Sequence, residues 1–310
     1  SPHQANVTSF TVTLVAIVTL EAFVGMWINA FIVSVICMAW IQKKALNSNE
    51  KILVLLGLSR FWYLCIGWLY YFLSTIFPNY LYVHPTFQLI GSISLFLNYL
   101  SLWASACLCV FYCIKIANFS NSFFIYLKVR IDTIVPWLLV GSLLLALVIS
   151  VLAYDVTEKV YSKNNATCQG NFWEETNEIK EHLFKVYFLA GFGYAASFTA
   201  ITFSTLLLLF SLWRHKRNMQ ANSMKDLSMD AHIKAMKSIL SFLVMYIINF
   251  ICSILTITYS FEKYKNVVML LIFVYLYAFP GVHSLLLICS NPKLENTLLR
   301  ILCPVKCKVC

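Results

Sequence analysis

Seven long apolar runs, separated by polar links, set the pattern of this chain. They lie at about 10–40, 52–77, 87–115, 133–153, 184–213, 236–260 and 266–289, and each reaches roughly the 20 residues that a helix needs to cross a bilayer. The first run is too long for a secretory signal and lacks a basic flank and a small-residue cleavage site, so it is expected to be a retained span. Two amphipathic pieces accompany the runs. After the third run, Phe119, Phe123, Phe124, Tyr126 and Leu127 share a segment with Lys115, Lys128 and Arg130, which predicts an interfacial ledge with aromatics in the acyl boundary and cations among headgroups. After the seventh run, Leu294, Leu298, Leu299 and Leu302 form one face opposite Lys293 and Arg300, which predicts a short helix at about 292–303 lying on the inner leaflet. The expected fold is all-α: a seven-transmembrane helix bundle with a short amphipathic C-terminal helix, built as one membrane domain over residues 1–310.

Composition removes the soluble alternatives. The 310 residues are 60% hydrophobic and only 12% charged, where about 25% charged is usual for a soluble domain. A net charge of +10 suggests nucleic acid in a soluble chain, but in a membrane chain it reflects cytoplasmic loop bias, and no nucleic-acid partner is expected. With the amino terminus outside, Lys159, Lys163, Lys180, Lys185, Lys263 and Lys265 fall in outer loops. Every other Lys and Arg except Arg60 then lies in inner loops or the tail. The opposite orientation reverses this positive-inside bias, so a plasma-membrane, multi-pass topology with a cytoplasmic carboxyl terminus is expected. N-x-[ST] sequons at Asn6 and Asn165 then face outward as glycosylation candidates, whereas that at Asn118 faces inward. Of eleven cysteines, only Cys168 falls in an exterior loop. The disulfide that ties helix three to the second outer loop in rhodopsin-like receptors therefore has no second partner. Cys303, Cys307 and Cys310 fit no common zinc spacing and are better candidates for palmitoylation beside a juxtamembrane helix.

Polar residues inside the spans are few. A charge at the bilayer centre costs several kcal/mol, so each should face the bundle and find a partner. At about 1.5 Å per residue, Arg60 stands about 12 Å above the inner end of its span, Asn29 about 16 Å and Ser284 about 9 Å above theirs, whereas Glu21 at about 28 Å is too high to be the main counter-ion. A network of Asn29, Arg60 and Ser284 is predicted, with His283 beside it, acting as packing glue or as a switch between two packings. On the outer halves of spans two, three, six and seven stand Trp68, Tyr71, Ser94, Asn98, Asn249, Phe250, Ser253, Phe273 and Tyr277, a mostly apolar set with a few polar groups of the kind that binds small molecules. No G-x-S-x-G, H-E-x-x-H or Walker loop occurs, and no cofactor or metal site is expected.

The segment FYCIKIANFSNSFFIYLKVRI resembles the third-helix end and second inner loop of the vertebrate bitter taste receptors (taste receptor type 2), which are seven-helix G-protein-coupled receptors. EAFVGMWIN, LGLSRFW and PGVHSLLLICSNPKL resemble that family's signatures in helices one, two and seven, and LLLLFSLWRHKRNM and DLSMDAHIKAMKSILSFLVMYI its inner ends of helices five and six. The resemblance implies detection of a small bitter agonist in an outer pocket, with Asn98 at a pocket-lining position. It also implies engagement of a heterotrimeric G protein (a gustducin-type α subunit with βγ) by the inner ends of helices three, five and six. Tyr112, Lys115, Ser211, His215, His232 and Lys237 are the candidates for that contact. Ser94 stands where several members have Trp, and Ser197 replaces a Pro often found in helix five. The alternatives are a type 1 vomeronasal-like chemosensory receptor, disfavoured by KIANFSNS and the helix-seven HS pair, and a small-solute transporter. A transporter predicts inverted repeats or broken helices, which the chain lacks.

Overall fold

A backbone surrounded by hydrocarbon must satisfy its own N–H and C=O groups, and a run of twenty or more apolar residues does so only as a helix. The computed structural model describes residues 2–76, 85–119, 121–166, 172–221, 227–259 and 267–302, and these are almost entirely helical. In chain order the helices are α1 (Pro2–Lys43), α2 (Ser48–Ile76), α3 (Thr86–Ile116), α4 (Ser122–Ala166), α5 (Phe172–Ala221), α6 (Leu227–Tyr259), α7 (Val267–Ser290) and α8 (Pro292–Leu302). Helices α1 to α7 are each long and apolar enough to cross a membrane. They pack as a ring in sequence order, closed by α7 against α1, with α3 inside it touching α2, α4 and α5. Large apolar side chains such as Trp27, Trp62, Trp137, Phe192 and Phe203 are exposed on the outside of the ring, as a lipid-facing surface requires.

The ends of the elements follow local chemistry. Lys44, with φ 55°, turns the chain out of α1. Glu50 Oε2 accepts the N–H of Asn47 at 3.1 Å at the start of α2, and its other oxygen pairs with Lys293 Nζ of α8 at 2.7 Å. Asn291 caps α8 by accepting the N–H of Lys293 at 3.1 Å, with Pro292 in the first helical position, where its missing donor costs nothing. Leu294 of α8 is buried and Leu298 packs against the core, while Leu299 and Leu302 remain exposed.

The aromatic, basic segment after α3 is continuous with the fourth span rather than a piece separate from it. It forms the first turns of α4, capped by Asn121 Oδ1, which accepts the N–H of Phe123 at 2.9 Å. Nothing interrupts the helix before Pro136, and part of its apolar surface packs on protein. Ile131 is buried, and Phe124 and Leu127 pack against the core, while Phe123, Tyr126 and Val129 face outward. The links flanking α5 are also shorter than hydropathy suggests, because α4 continues to Ala166 and α5 begins at Phe172. Polar helical turns lying beyond the apolar window carry no hydropathy signal.

Apolar burial drives helices together weakly in lipid, so close packing and hydrogen bonds decide how they associate. The tightest approach joins α1 to α7 at two glycines. A Cβ on Gly281 would lie 3.1 Å from the Cα of Gly25, and one on Gly25 would lie 2.6 Å from Leu64 Cδ1 of α2. Replacing Gly281 by Ala therefore presses backbone on backbone and is expected to cost about 1–3 kcal/mol. Gly91→Ala, where a Cβ meets open space, is expected to leave stability unchanged or slightly raised. Thermal unfolding of the detergent-solubilised protein checks both, and equal behaviour of the two variants contradicts the close-packing account.

Candidate functional site

Two sites share one wall. The first is a cavity of about 400 Å³ among α3, α4, α5, α6 and α7, in the half of the bundle nearer the α6–α7 link. From α3 it takes Asn98, Ser101, Leu102 and Ser105, which recur at i, i+3, i+4 and i+7 and so lie on one helix face. From α6 it takes Tyr246, Asn249, Ser253 and Thr256, the same kind of stripe, and from α7 Phe273, Leu276, Tyr277, Phe279 and Pro280. Tyr63 of α2 and Ala190 and Tyr194 of α5 complete much of the wall. Asn98 Nδ2 donates to Tyr194 Oη, Tyr99 and Tyr194 meet edge to face at 4.9 Å, and Tyr277 donates to the carbonyl of Gly67 at 3.0 Å, joining α7 to α2. The lining is mostly apolar with a few convergent polar groups, the usual composition of a small-molecule pocket.

Of the nine residues expected to bind a ligand, Asn98, Asn249, Ser253, Phe273 and Tyr277 line this cavity. Trp68 turns the other way: its Nε1 donates to Thr19 Oγ1 of α1 at 3.2 Å, and its ring packs on Phe23 and Phe72. Phe250 stacks on Phe198 of α5 at 4.2 Å instead of facing the cavity. Tyr71 and Ser94 are also absent from the lining. Membership in the correct half of a helix is visible in the sequence, whereas the rotation of that helix is not. Ser101, Ser105 and Tyr246, which the sequence reading passed over, share a face with Asn98 or Asn249, and that spacing was the available signal.

The second site is the arginine network, one layer further from the α6–α7 link. Arg60 is 1% exposed. Its Nη1 donates to Ser284 Oγ at 2.9 Å, its Nε to Ser101 Oγ at 3.2 Å, and its Nη2 to Ser105 Oγ at 3.2 Å and Tyr246 Oη at 3.5 Å. Ser284 in turn donates to Asn29 Oδ1 at 2.8 Å, and Asn29 Nδ2 donates to the carbonyl of Gly25 at 2.8 Å. The relay thus runs from α2 through α7 into α1, and its last acceptor belongs to the glycine that lets α1 approach α7. His283 lies beside it, fully buried, its ring 4.2 Å from that of Phe242, 5.2 Å from Tyr246 and 5.7 Å from Phe279.

The candidates at the opposite end of the bundle are placed less uniformly. Tyr112 packs between two core clusters, and Ser211 Oγ accepts the N–H of Asn118 at 2.9 Å, tying α5 to the end of α3. Lys115 pairs with Asp132 of α4 at 2.6 Å, a solvent-side ion pair of small energetic weight. His215 is exposed, and Lys237 borders an apolar groove between α5 and α6 with Lys216, Trp213 and Leu240. Asn6 falls within α1, Asn165 within the last turn of α4 and His232 within the first turns of α6. The side chains of these three lie outside the described residues, as do Cys303, Cys307 and Cys310.

A seven-helix membrane bundle with a cavity inside it and a short helix packed under α7 is the architecture of a G-protein-coupled receptor. The family profile described as Taste receptor protein (TAS2R) matches residues 7–306. The chain is 34% identical over 298 residues to "Taste receptor type 2 member 40" of Gallus gallus, with 94% of this chain and 95% of the relative covered. It is 32% identical over 300 residues to "Taste receptor type 2 member 7" of Macaca mulatta (94% and 92% covered) and 33% identical over 303 residues to "Taste receptor type 2 member 104" of Rattus norvegicus (95% and 96%). The chain belongs to the type 2 taste receptor family, and it is accordingly a multi-pass membrane receptor for bitter taste and not an enzyme.

The Asn29–Ser284 bond gives a direct energetic test of the relay. In a double-mutant cycle of Asn29→Ala and Ser284→Ala, the coupling is expected at about 0.5–2 kcal/mol, read from thermal unfolding of the purified protein. Coupling indistinguishable from zero contradicts the relay.

Proposed function

We propose that the chain detects small bitter compounds in the cavity lined by Asn98, Asn249, Ser253, Phe273 and Tyr277 and activates a heterotrimeric G protein of the gustducin type. The observation that carries this reading is the shared wall: Ser101, Ser105 and Tyr246 line the cavity and also hold Arg60. A ligand that moves α3 or α6 therefore changes the geometry of the bond set that joins α2, α3, α6 and α7. It shifts the balance between two packings only by its differential affinity for them. The inner ends of α3, α5 and α6, with Tyr112, Lys115, Ser211, His215, His232 and Lys237, then form the G-protein contact. The positive-inside distribution of Lys and Arg supports an amino terminus outside and a carboxyl terminus in the cytoplasm. On that orientation the cavity occupies the outer half of the bundle, Asn165 and Asn6 are glycan sites, and Cys303, Cys307 and Cys310 are lipidation sites beside α8.

The test is a calcium-release screen of structurally diverse bitter compounds in cells supplied with a gustducin-type α subunit. At least one compound is expected to evoke release that depends on the receptor. Asn98→Ala and Asn249→Ala are expected to raise the concentration needed by about tenfold, the worth of one buried hydrogen bond, with surface level unchanged. A receptor that reaches the surface and answers no compound, or variants that leave every response unaltered, contradicts the reading.

A further inference from the structure

Arg60 is a buried cation held only by neutral groups. Its hydrogen bonds go to Ser101, Ser105, Ser284 and Tyr246, and among the described residues no carboxylate pairs with it. The described ion pairs, Lys115–Asp132, Lys159–Asp155 and Lys293–Glu50, lie elsewhere. His283, a further ionisable group beside it, brings no negative charge, and neither of its ring nitrogens has a hydrogen-bond partner among the described residues. In a medium of low dielectric such a charge is felt over several ångströms, because the Coulomb term falls only as the reciprocal of distance and is weakly screened.

The cavity lies within reach of that field. The hydroxyl oxygens of Ser101, Ser105 and Tyr246 accept from the guanidinium through their lone pairs, so their protons point away from it. Ser105 donates its proton to the carbonyl of Ser101 at 2.8 Å. Among the described residues no acceptor takes the proton of Ser101, the Tyr246 hydroxyl lies within hydrogen-bond reach of Ser105, and both Ser101 and Tyr246 line the cavity. The floor thus presents two hydroxyls polarised by a cation behind them, that of Ser101 with its proton unclaimed and that of Tyr246 shared with Ser105. Among the described residues the lining contains no acidic side chain, so an ammonium group finds no counter-charge from them. Phe273 and Tyr277 of α7 offer aromatic surface to a ring.

We propose that the cavity selects small aromatic anions, carboxylates or sulfonates, whose acid oxygens accept from Ser101 and Tyr246 within the field of Arg60, and that it disfavours aromatic amines. This rests on the reading of the cavity as the agonist site and narrows the chemical class of agonist that it takes. The anion supplies the counter-charge that the described residues do not, and the donors replace the hydration that the acid group loses on entry.

The experiment uses the purified full-length receptor with three probes of one shape: 2-naphthoate, its methyl ester and 2-naphthylmethylammonium. Ligand-induced shift of the melting temperature gives the apparent affinity. Naphthoate is expected to bind at least about tenfold more tightly than the ester, as hydrogen bonds to a charged acceptor provide, and the ammonium compound is expected to give no shift. Tyr246→Phe keeps the ring and removes the donor, and it is expected to weaken naphthoate about tenfold while leaving the ester unchanged. Ser101→Ala provides a second variant that leaves the Tyr246–Arg60 contact in place. Equal binding of acid and ester, preference for the amine, binding of none of the three, or an acid preference untouched by both variants overturns the proposal. Naphthoate binding without calcium release leaves the anion site standing and removes the signalling role. Calcium release to neutral compounds by a receptor that ignores naphthoate does the reverse.

Discussion

A guanidinium buried in the middle of a membrane protein is the costliest group in this fold, and the bundle is arranged around keeping it satisfied. Arg60 stands on α2, but its partners come from α3, α6 and α7. Removing any of these helices would leave donors unpaired in a medium where an unpaired donor is expensive. The bond set therefore fixes which faces of four helices meet. It does so with hydroxyls, whose individual bonds are modest and whose rotors permit more than one arrangement. A carboxylate partner would have made a stronger and more rigid lock. The choice of neutral partners suits a receptor that must adopt more than one packing.

The close approach of α1 and α7 belongs to the same arrangement. Gly25 and Gly281 bring the two backbones together, and Asn29 and Ser284, one turn further along, are thereby placed to bond. Asn29 returns its amide proton to the carbonyl of Gly25, so small-residue packing and the polar relay support each other. At the other side of Arg60, Ser101, Ser105 and Tyr246 bound the cavity. A helix contact, a buried charge and a ligand-sized space thus stand in one continuous column through the bundle. The aromatic residues Phe242, Tyr246, Phe279 and His283 pack within it, and rings of this size transmit displacement because cores of this density do not yield smoothly.

Hydropathy alone determined the seven crossings, because the cost of exposing backbone polar groups to hydrocarbon leaves a long apolar run no other structure, and the short helix after them was legible from its amphipathic spacing. Depth along each span, at a constant rise per residue, was enough to bring Asn29, Arg60 and Ser284 to one level. What the sequence left open was rotation and continuity. Trp68 and Phe250 lie in the expected halves of α2 and α6 yet turn toward α1 and α5, since the side that a helix presents depends on which neighbours it has. The amphipathic segment after α3 was legible as amphipathic, but whether its apolar face met lipid or protein was decided by α2 and α3 already standing beside it. The participation of Ser101, Ser105 and Tyr246 was likewise a tertiary matter. A serine on a helix is mute until the cation it will face is folded against it.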